Sequence, residues 1–203
     1  MTLREKIIHE ALKLFSLKGF GNTSIEDILA QTGSSKGGLY NYFKSKDDLF
    51  YAVLSQARKI WRDRVLDGLN QTQSPLGKMR RMLENYGEKY LKDSENIPGG
   101  CVFVTLLVEL DDQRPDFAKE IGEGFSRAQV MMKRFLDDAK EVGELRSSTN
   151  TEAAIQVLFT GMLGTSVLFG KDKSSEVLDK SIVALLDYLD GLAVSASGTS
   201  LER

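Results

Sequence analysis

Residues 21–49 read GNTSIEDILAQTGSSKGGLYNYFKSKDDL, and the local signals in this stretch decide the fold. Thr23 and Ser24 place side-chain oxygens ahead of the run IEDILAQ, and Ser24 with Asp27 three residues later is an acidic variant of the capping box. A helix therefore starts there, with Ile25, Ile28 and Leu29 on one face. Gly33 ends it, because glycine takes positive φ without a Cβ clash. Ser34 and Ser35 then open KGGLYNYF, whose polar, small and aromatic groups form a contact surface in place of a solid apolar stripe. Two short helices about a glycine turn of this length are the helix-turn-helix pattern, in which the second helix enters the major groove of DNA. On the local pattern alone, any small helical domain containing such a turn fits equally well.

A longer stretch decides between them. The run from Ala11, ALKLFSLKGFGNTSIEDILAQTGSSKGGLYNYFKSKDDLF, resembles the DNA-binding domain of the tetracycline-repressor (TetR) family of transcriptional regulators. The matching positions are Phe15, Gly19, Phe20, Thr23, Ile28, Ala30, Gly33, Ser35, Gly37, Leu39, Tyr40, Phe43, Lys46 and Leu49, and the pair Asn41–Tyr42 departs from the family's common tyrosine-histidine.

In a helix-turn-helix the first residues of the second helix meet base edges and flanking groups grip phosphate. Those first residues are Ser34, Ser35, Lys36, Gly37 and Gly38, with Tyr40, Asn41 and Tyr42 a turn onward. Lys36 can donate to guanine or rest on a phosphate, and glycines at 37 and 38 let the backbone approach the groove. The resemblance implies phosphate contacts from Tyr42, Lys46, the Thr23 hydroxyl and the amides at the start of the first motif helix, beside Ser24. Leu39 and Phe43, four apart, are assigned to the core. GSSKGG lacks the GxxxxGK[ST] spacing of a phosphate loop, and no strand precedes it.

The chain has 203 residues, 41% of them hydrophobic, which is enough for a sizeable core, and a net charge of −2. Residues 1–65 hold eleven Lys/Arg against seven Asp/Glu, whereas residues 66–203 hold sixteen against twenty-two. A basic end on an acidic body confines any nucleic-acid footprint to that end. The single cysteine, Cys101, forms no internal disulfide, and the first residues carry no basic, apolar, small-residue leader, so the expected location is cytoplasmic. Residues 153–170 carry no charge. Polar residues and glycines dilute that run, and Glu152 and Lys171 close it, so a buried or interface helix is expected rather than a membrane span.

The remaining pattern is helical throughout, giving an all-α fold. LREKIIHEALKLFSLK carries an apolar stripe and precedes the motif, with Phe20 folding back as a plug between Gly19 and Gly21. Ser45 caps a connector expected over residues 46–69. Further helices begin at Pro75, after Pro98-Gly-Gly, and at Pro115, and two more span EAAIQVLFTGMLGTSVLFG and SSEVLDKSIVALLDYLDGLAV. The expected division is a helix-turn-helix domain at 1–48, a helical ligand-binding and dimerisation domain at 49–194, and a frayed tail at 195–203.

Reading a two-fold operator needs two heads. The resemblance implies a homodimer built by the last two helices of each chain, with Val157, Gly161, Gly164, Ile182, Leu185, Leu186 and Leu189 as interface candidates. It also implies a small-molecule effector pocket in the body. Tyr86, Tyr90, Cys101, Phe103, Phe125, Met131, Met132, Phe135, Phe159 and Met162 supply the apolar, adaptable walls such a pocket needs, and they would serve an ordinary core equally well. Cys101 follows Pro98-Gly99-Gly100 at a helix start, where the helix dipole lowers a thiol pKa, so it reads either as a reactive thiol or as an inert buried one. An enzyme would need convergent titratable groups. The body has no histidine, no HExxH and no Glu-x-x-His pair, and neither cofactor nor metal is expected. The partners expected are therefore double-stranded DNA carrying a pseudo-palindromic operator, a second copy of the chain and a small molecule, with no membrane.

Overall fold

The computed structural model describes residues 1–194, so the segment 195–203, expected to fray, lies outside the described residues. Helices α1 (Leu3–Lys18), α2 (Ile25–Thr32) and α3 (Lys36–Tyr40) form the head, and α4 (Lys46–Val65) leads out of it. The body contains α5 (Pro75–Asn85), α6 (Val102–Leu110), α7 (Pro115–Glu141), α8 (Thr151–Asp172) and α9 (Ser175–Leu192). Among the described residues there is no strand, only an isolated antiparallel bridge between Leu145 and Ala193.

The caps explain the head's boundaries. Ser24 Oγ accepts from the Asp27 amide at 3.0 Å, and the Asp27 carboxylate accepts from the Ser24 amide at 2.8 Å, which closes the box expected from sequence. Lys18 also donates to that carboxylate, and together these bonds hold the Asp27 pKa at about 2. Gly33 takes φ 65°, the left-handed conformation that ends α2. A second capping box, Thr2 with Glu5, starts α1 and went unnoticed in the sequence.

Two elements differ from expectation. The connector stops at Val65 instead of about Leu69, because Gly68 adopts φ 75° and turns the chain into a 3-10 segment at Leu69–Gln71. The helix from Pro75 does not stay α. After Asn85 it widens into a π-helical segment, Tyr86–Leu91, which places Tyr86 and Tyr90 inward and stacked, 5.7 Å between ring centroids. The Asn85 amide is buried and donates to the carbonyls of Val65 and Asp67, so it fixes the end of α4 against this segment. The apolar run from Cys101, whose β-branched content left strand and helix both open, forms α6 as a buried helix.

Head and body share one continuous core, from Ile7 to Leu189. Phe20 is the plug expected from sequence. Its ring meets Phe15, Phe50 and Phe117 edge-on at 5.4–5.5 Å, and Phe50 stacks on Phe117 of α7 at 3.8 Å. Polar clasps reinforce this junction. Glu109 at the end of α6 accepts from the amides of Phe20 and Gly21 at 2.7 and 2.6 Å. Arg114 makes a bidentate pair with Asp47 at the start of α4, at 3.1 and 3.0 Å, and lies over the Phe117 ring. Gly99 packs so closely on α1 that a Cβ there would run into the Ser16 carbonyl, and its amide donates to Ser16 Oγ at 3.1 Å.

Helix α8 is long and apolar enough to cross a membrane by length and composition. It packs instead against α7 and α9, with Leu158, Phe159, Met162 and Phe169 buried in the body core.

Candidate nucleic-acid interface and body cavity

The second motif helix is shorter than its sequence suggests. Ser35 caps it by accepting from the Gly38 amide at 3.1 Å, and α3 gives way to a turn after Tyr40. Leu39 is fully buried and Phe43 nearly so, which anchors the turn from beneath. The outward surface is formed by Ser35, Lys36, Gly37, Tyr40, Asn41 and Tyr42, all exposed, with Ser34 half-buried beside them. Tyr40 and Tyr42 put large aromatic side chains on this surface, 48% and 46% exposed, a level that Tyr51 of α4 also reaches at 45%. Lys36 Nζ reaches Glu26 of α2 at 2.7 Å, and this hydrogen bond pushes its pKa up. Ser24, exposed at the start of α2, has its hydroxyl committed to the cap.

Two residues assigned to phosphate contact are otherwise engaged. Thr23 is completely buried, and its hydroxyl donates to the Gly19 carbonyl at 2.6 Å, so it closes the α1–α2 loop and has no donor left for DNA. Lys46 turns inward. Its ammonium donates to the Phe20 carbonyl and lies 4.1 Å from the centre of the Phe20 ring, and burial lowers its pKa. Arg4, which sequence reasoning passed over, is exposed on the first turn of α1 and lies 5.4 Å from the centre of the Phe43 ring, next to Tyr42. Leu3 of the same turn comes close to Gly38. No local signal marks Arg4, because its place follows from how α1 crosses α3.

The body holds a partly open cavity of about 260 Å³. Eight of the ten pocket candidates line it: Tyr86, Cys101, Phe103, Phe125, Met131, Met132, Phe159 and Met162. Tyr90 and Phe135 do not. Tyr90 is buried one layer behind, its hydroxyl 3.7 Å from Cys101 Sγ, and Phe135 packs against the core elsewhere on α7. No local signal marks α4 as a wall, yet its Arg58, Trp61 and Arg62, with Leu66 at its C-cap, line the cavity. Tyr86 donates to the Met162 carbonyl at 3.1 Å, which ties the π-helical segment to α8.

Cys101 does not have the environment of an activated thiol. It is 6% exposed, and burial pushes its pKa up, outweighing the amides of the α6 N-terminus and the tyrosine hydroxyls that favour the thiolate. Burial and the neighbouring Cys101 likewise raise the pKa values of Tyr86 and Tyr90.

Helices α8 and α9 divide the proposed dimer residues into two groups. Ile182, Leu185 and Leu189 are buried inside their own chain: Gly161 of α8 faces the Leu185 side chain, and Ile182 packs on Gly87 of the π-helical segment, so these four are corrected from interface to intramolecular contacts. Leu186 is half-buried. Val157 and Gly164 are exposed, and they join Val167, Leu168 and Val183 in an apolar face that no described residue covers.

Comparison with known proteins places this architecture. Residues 7–53 match the family of bacterial regulatory proteins of the tetR type, and residues 75–185 match the tetracyclin repressor-like C-terminal domain. The chain belongs to the TetR family. It is 30% identical over 179 residues to an uncharacterized HTH-type transcriptional regulator of Lactococcus lactis, covering 88% of each chain. It is 23% identical to the HTH-type transcriptional repressor NemR of Escherichia coli K12, covering 94% of this chain and 96% of that one. A TetR transcriptional regulator from Chloroflexus aurantiacus has the same fold, with a TM-score of 0.85, 24% identity, and coverage of 94% and 96%. This TetR-family chain is therefore a DNA-binding transcriptional regulator and not an enzyme.

Proposed function

We propose that the protein is a homodimeric, cytoplasmic repressor that a small molecule releases from a pseudo-palindromic operator. Residues 1–48 are the head that reads DNA, and residues 49–194 bind the effector and dimerise. The observation that carries this reading is the placement of α4. Its first residue is held against Phe20 in the head, and Arg58, Trp61 and Arg62 of its second half line the body cavity, with Leu66 just past its end. One rod of 20 residues, about 30 Å at 1.5 Å per residue, thus touches both ends. A ligand that favours one position of α4 favours one position of the head. It shifts the DNA-competent population only as far as its affinities for the two states differ.

On this reading Lys36, Gly37, Tyr40 and Asn41 face the major groove, with Ser34, Ser35, Tyr42 and Arg4 at its phosphate margins and the α2 N-terminus at Ser24 presenting amides to phosphate. The uncovered face of α8 and α9 is the dimer surface, because an apolar patch of this kind is normally covered in a soluble protein. Sedimentation of the protein with duplexes selected from a random-sequence pool tests both points. Two chains per duplex are expected, on sites with two-fold related halves, and Leu168→Glu should give a monomer that no longer holds the duplex. A wild-type monomer at micromolar concentration, bound to sites without symmetry, contradicts the proposal.

A further inference from the structure

The cavity read above as the effector site has a charge pattern that specifies its ligand further. Its charged lining side chains are Arg58, Arg62 and Arg127, and no carboxylate of the described residues lines it. Arg58 and Arg62 belong to the basic first 65 residues, and Arg127 to the remainder, where sixteen Lys/Arg stand against twenty-two Asp/Glu. Arg58 and Arg62 lie four apart on α4, the spacing that stacks side chains on one helix face, where like charges repel. Arg58 is committed to α7, donating to the Glu120 carbonyl at 2.7 Å and to its carboxylate at 3.2 Å. Arg127 is 61% exposed and only loosely paired with Glu123, at 3.5 Å. Arg62 has no carboxylate partner among the described residues.

The rest of the wall is aromatic and thioether, including Trp61, Phe125 and Met131. A ligand that satisfies both parts has an apolar body and a single anionic head. We infer that the effector is a small apolar monocarboxylate, its body in the cavity and its carboxylate held by Arg62 of α4 and Arg127 of α7. Guanidinium is suited to this role because its planar fork binds a carboxylate through two parallel hydrogen bonds. The volume of about 260 Å³ lies just below the range of about 300–1,000 Å³ typical of drug-sized sites, which fits a medium-chain acyl or bicyclic aromatic acid. The inference rests on the effector reading, and it gives that reading a mechanism. A carboxylate bridging Arg62 and Arg127 fixes α4 relative to α7, and both helices end on the head, through Lys46 and Phe117.

Trp61 is the only tryptophan and lines the cavity, so its fluorescence reports occupancy. The test titrates the full chain with decanoate and 2-naphthoate, each against its uncharged alcohol, and follows operator release in parallel samples. At least one acid should bind about tenfold or more tightly than its alcohol. The double variant Arg62→Gln with Arg127→Gln, both exposed side chains, should lose about that factor for the acid and leave the alcohol unchanged. Equal binding of acid and alcohol, or an acid affinity indifferent to the double variant, overturns the charge assignment and leaves the cavity reading standing. An acid that binds through the arginines without displacing DNA supports the assignment and sinks the effector reading instead. No Trp61 response to any of the four compounds overturns both.

Discussion

On the proposed reading, DNA must compete for Lys36, which Glu26 holds at 2.7 Å in the free protein. Both groups are well exposed, which makes the exchange inexpensive, and a Glu26 carboxylate left beside bound DNA would repel phosphate. Lys36→Ala should weaken operator binding by about tenfold, and Glu26→Gln should strengthen it, with the fold intact by circular dichroism. Gel-shift titration of both variants checks this, and unchanged affinity in Lys36→Ala removes the lysine from the interface. Cys101 supplies a second residue-level expectation, from its raised pKa. A buried thiol whose folded pKa lies above its unfolded value stays protonated through neutral pH, and the stability this gives is lost as pH rises past the ordinary thiol range toward the folded value. Labelling of native protein by iodoacetamide at pH 7 should therefore be far slower than labelling in urea; equal rates contradict the assigned burial. The sequence reading left this residue open because a helix start argues for a thiolate and an apolar neighbourhood against it. Burial of the sulfur in the fold decides it, against the α6 amides and the tyrosine hydroxyls that favour the thiolate.

At the scale of elements, head and body meet at a junction built from α1, α4, α6 and α7. The Glu109 carboxylate joins the end of α6 to two amides of the α1–α2 loop, a pairing 88 and 89 residues apart in sequence. Hydrogen bonds to a charged group contribute about 1.5–3 kcal/mol. Glu109→Ala should lower the free energy of urea unfolding by about that amount and weaken the response of operator binding to effector. A stability change near zero shows that the clasp is open in solution. The helices themselves were mostly legible: Ser24 with Asp27, Gly33, Ser45, Pro75 and Pro115 each mark a boundary through local chemistry that needs no partner. The π-helical segment at Tyr86–Leu91 was not, since Tyr86 and Tyr90 are four apart in any helix and only their tertiary anchors distinguish the wider winding. Thr23 and Lys46 escaped for the same reason. Their residue types suit phosphate contact, and the loop geometry that uses their hydroxyl and ammonium internally is set by Gly19 and Phe20.

For the whole molecule, one end of the chain presents an exposed aromatic and cationic turn, the middle holds a cavity lined partly by α4, and the far helices leave an apolar face uncovered. The turn itself was legible through its cap and glycine signals, while Arg4 beside it and the inward use of Thr23 and Lys46 were not. Eight of the ten body candidates line the cavity, but its α4 wall escaped the reading, and the apolar face was placed only to α8 and α9. Residues such as Leu185 and Val157 read alike in a periodic apolar helix, and whether each faces its own chain or a second copy depends on how α8 and α9 cross. The central claim is that the chain holds duplex DNA through the head. The measurement that bears on it most directly is the salt dependence of operator affinity in wild type, Lys36→Ala and Arg4→Ala. The account predicts a steep linear fall of log K against log salt, made shallower by about 1 per chain wherever a lysine or arginine lost its phosphate. Affinity that is flat with salt, or a slope that neither variant changes, contradicts it.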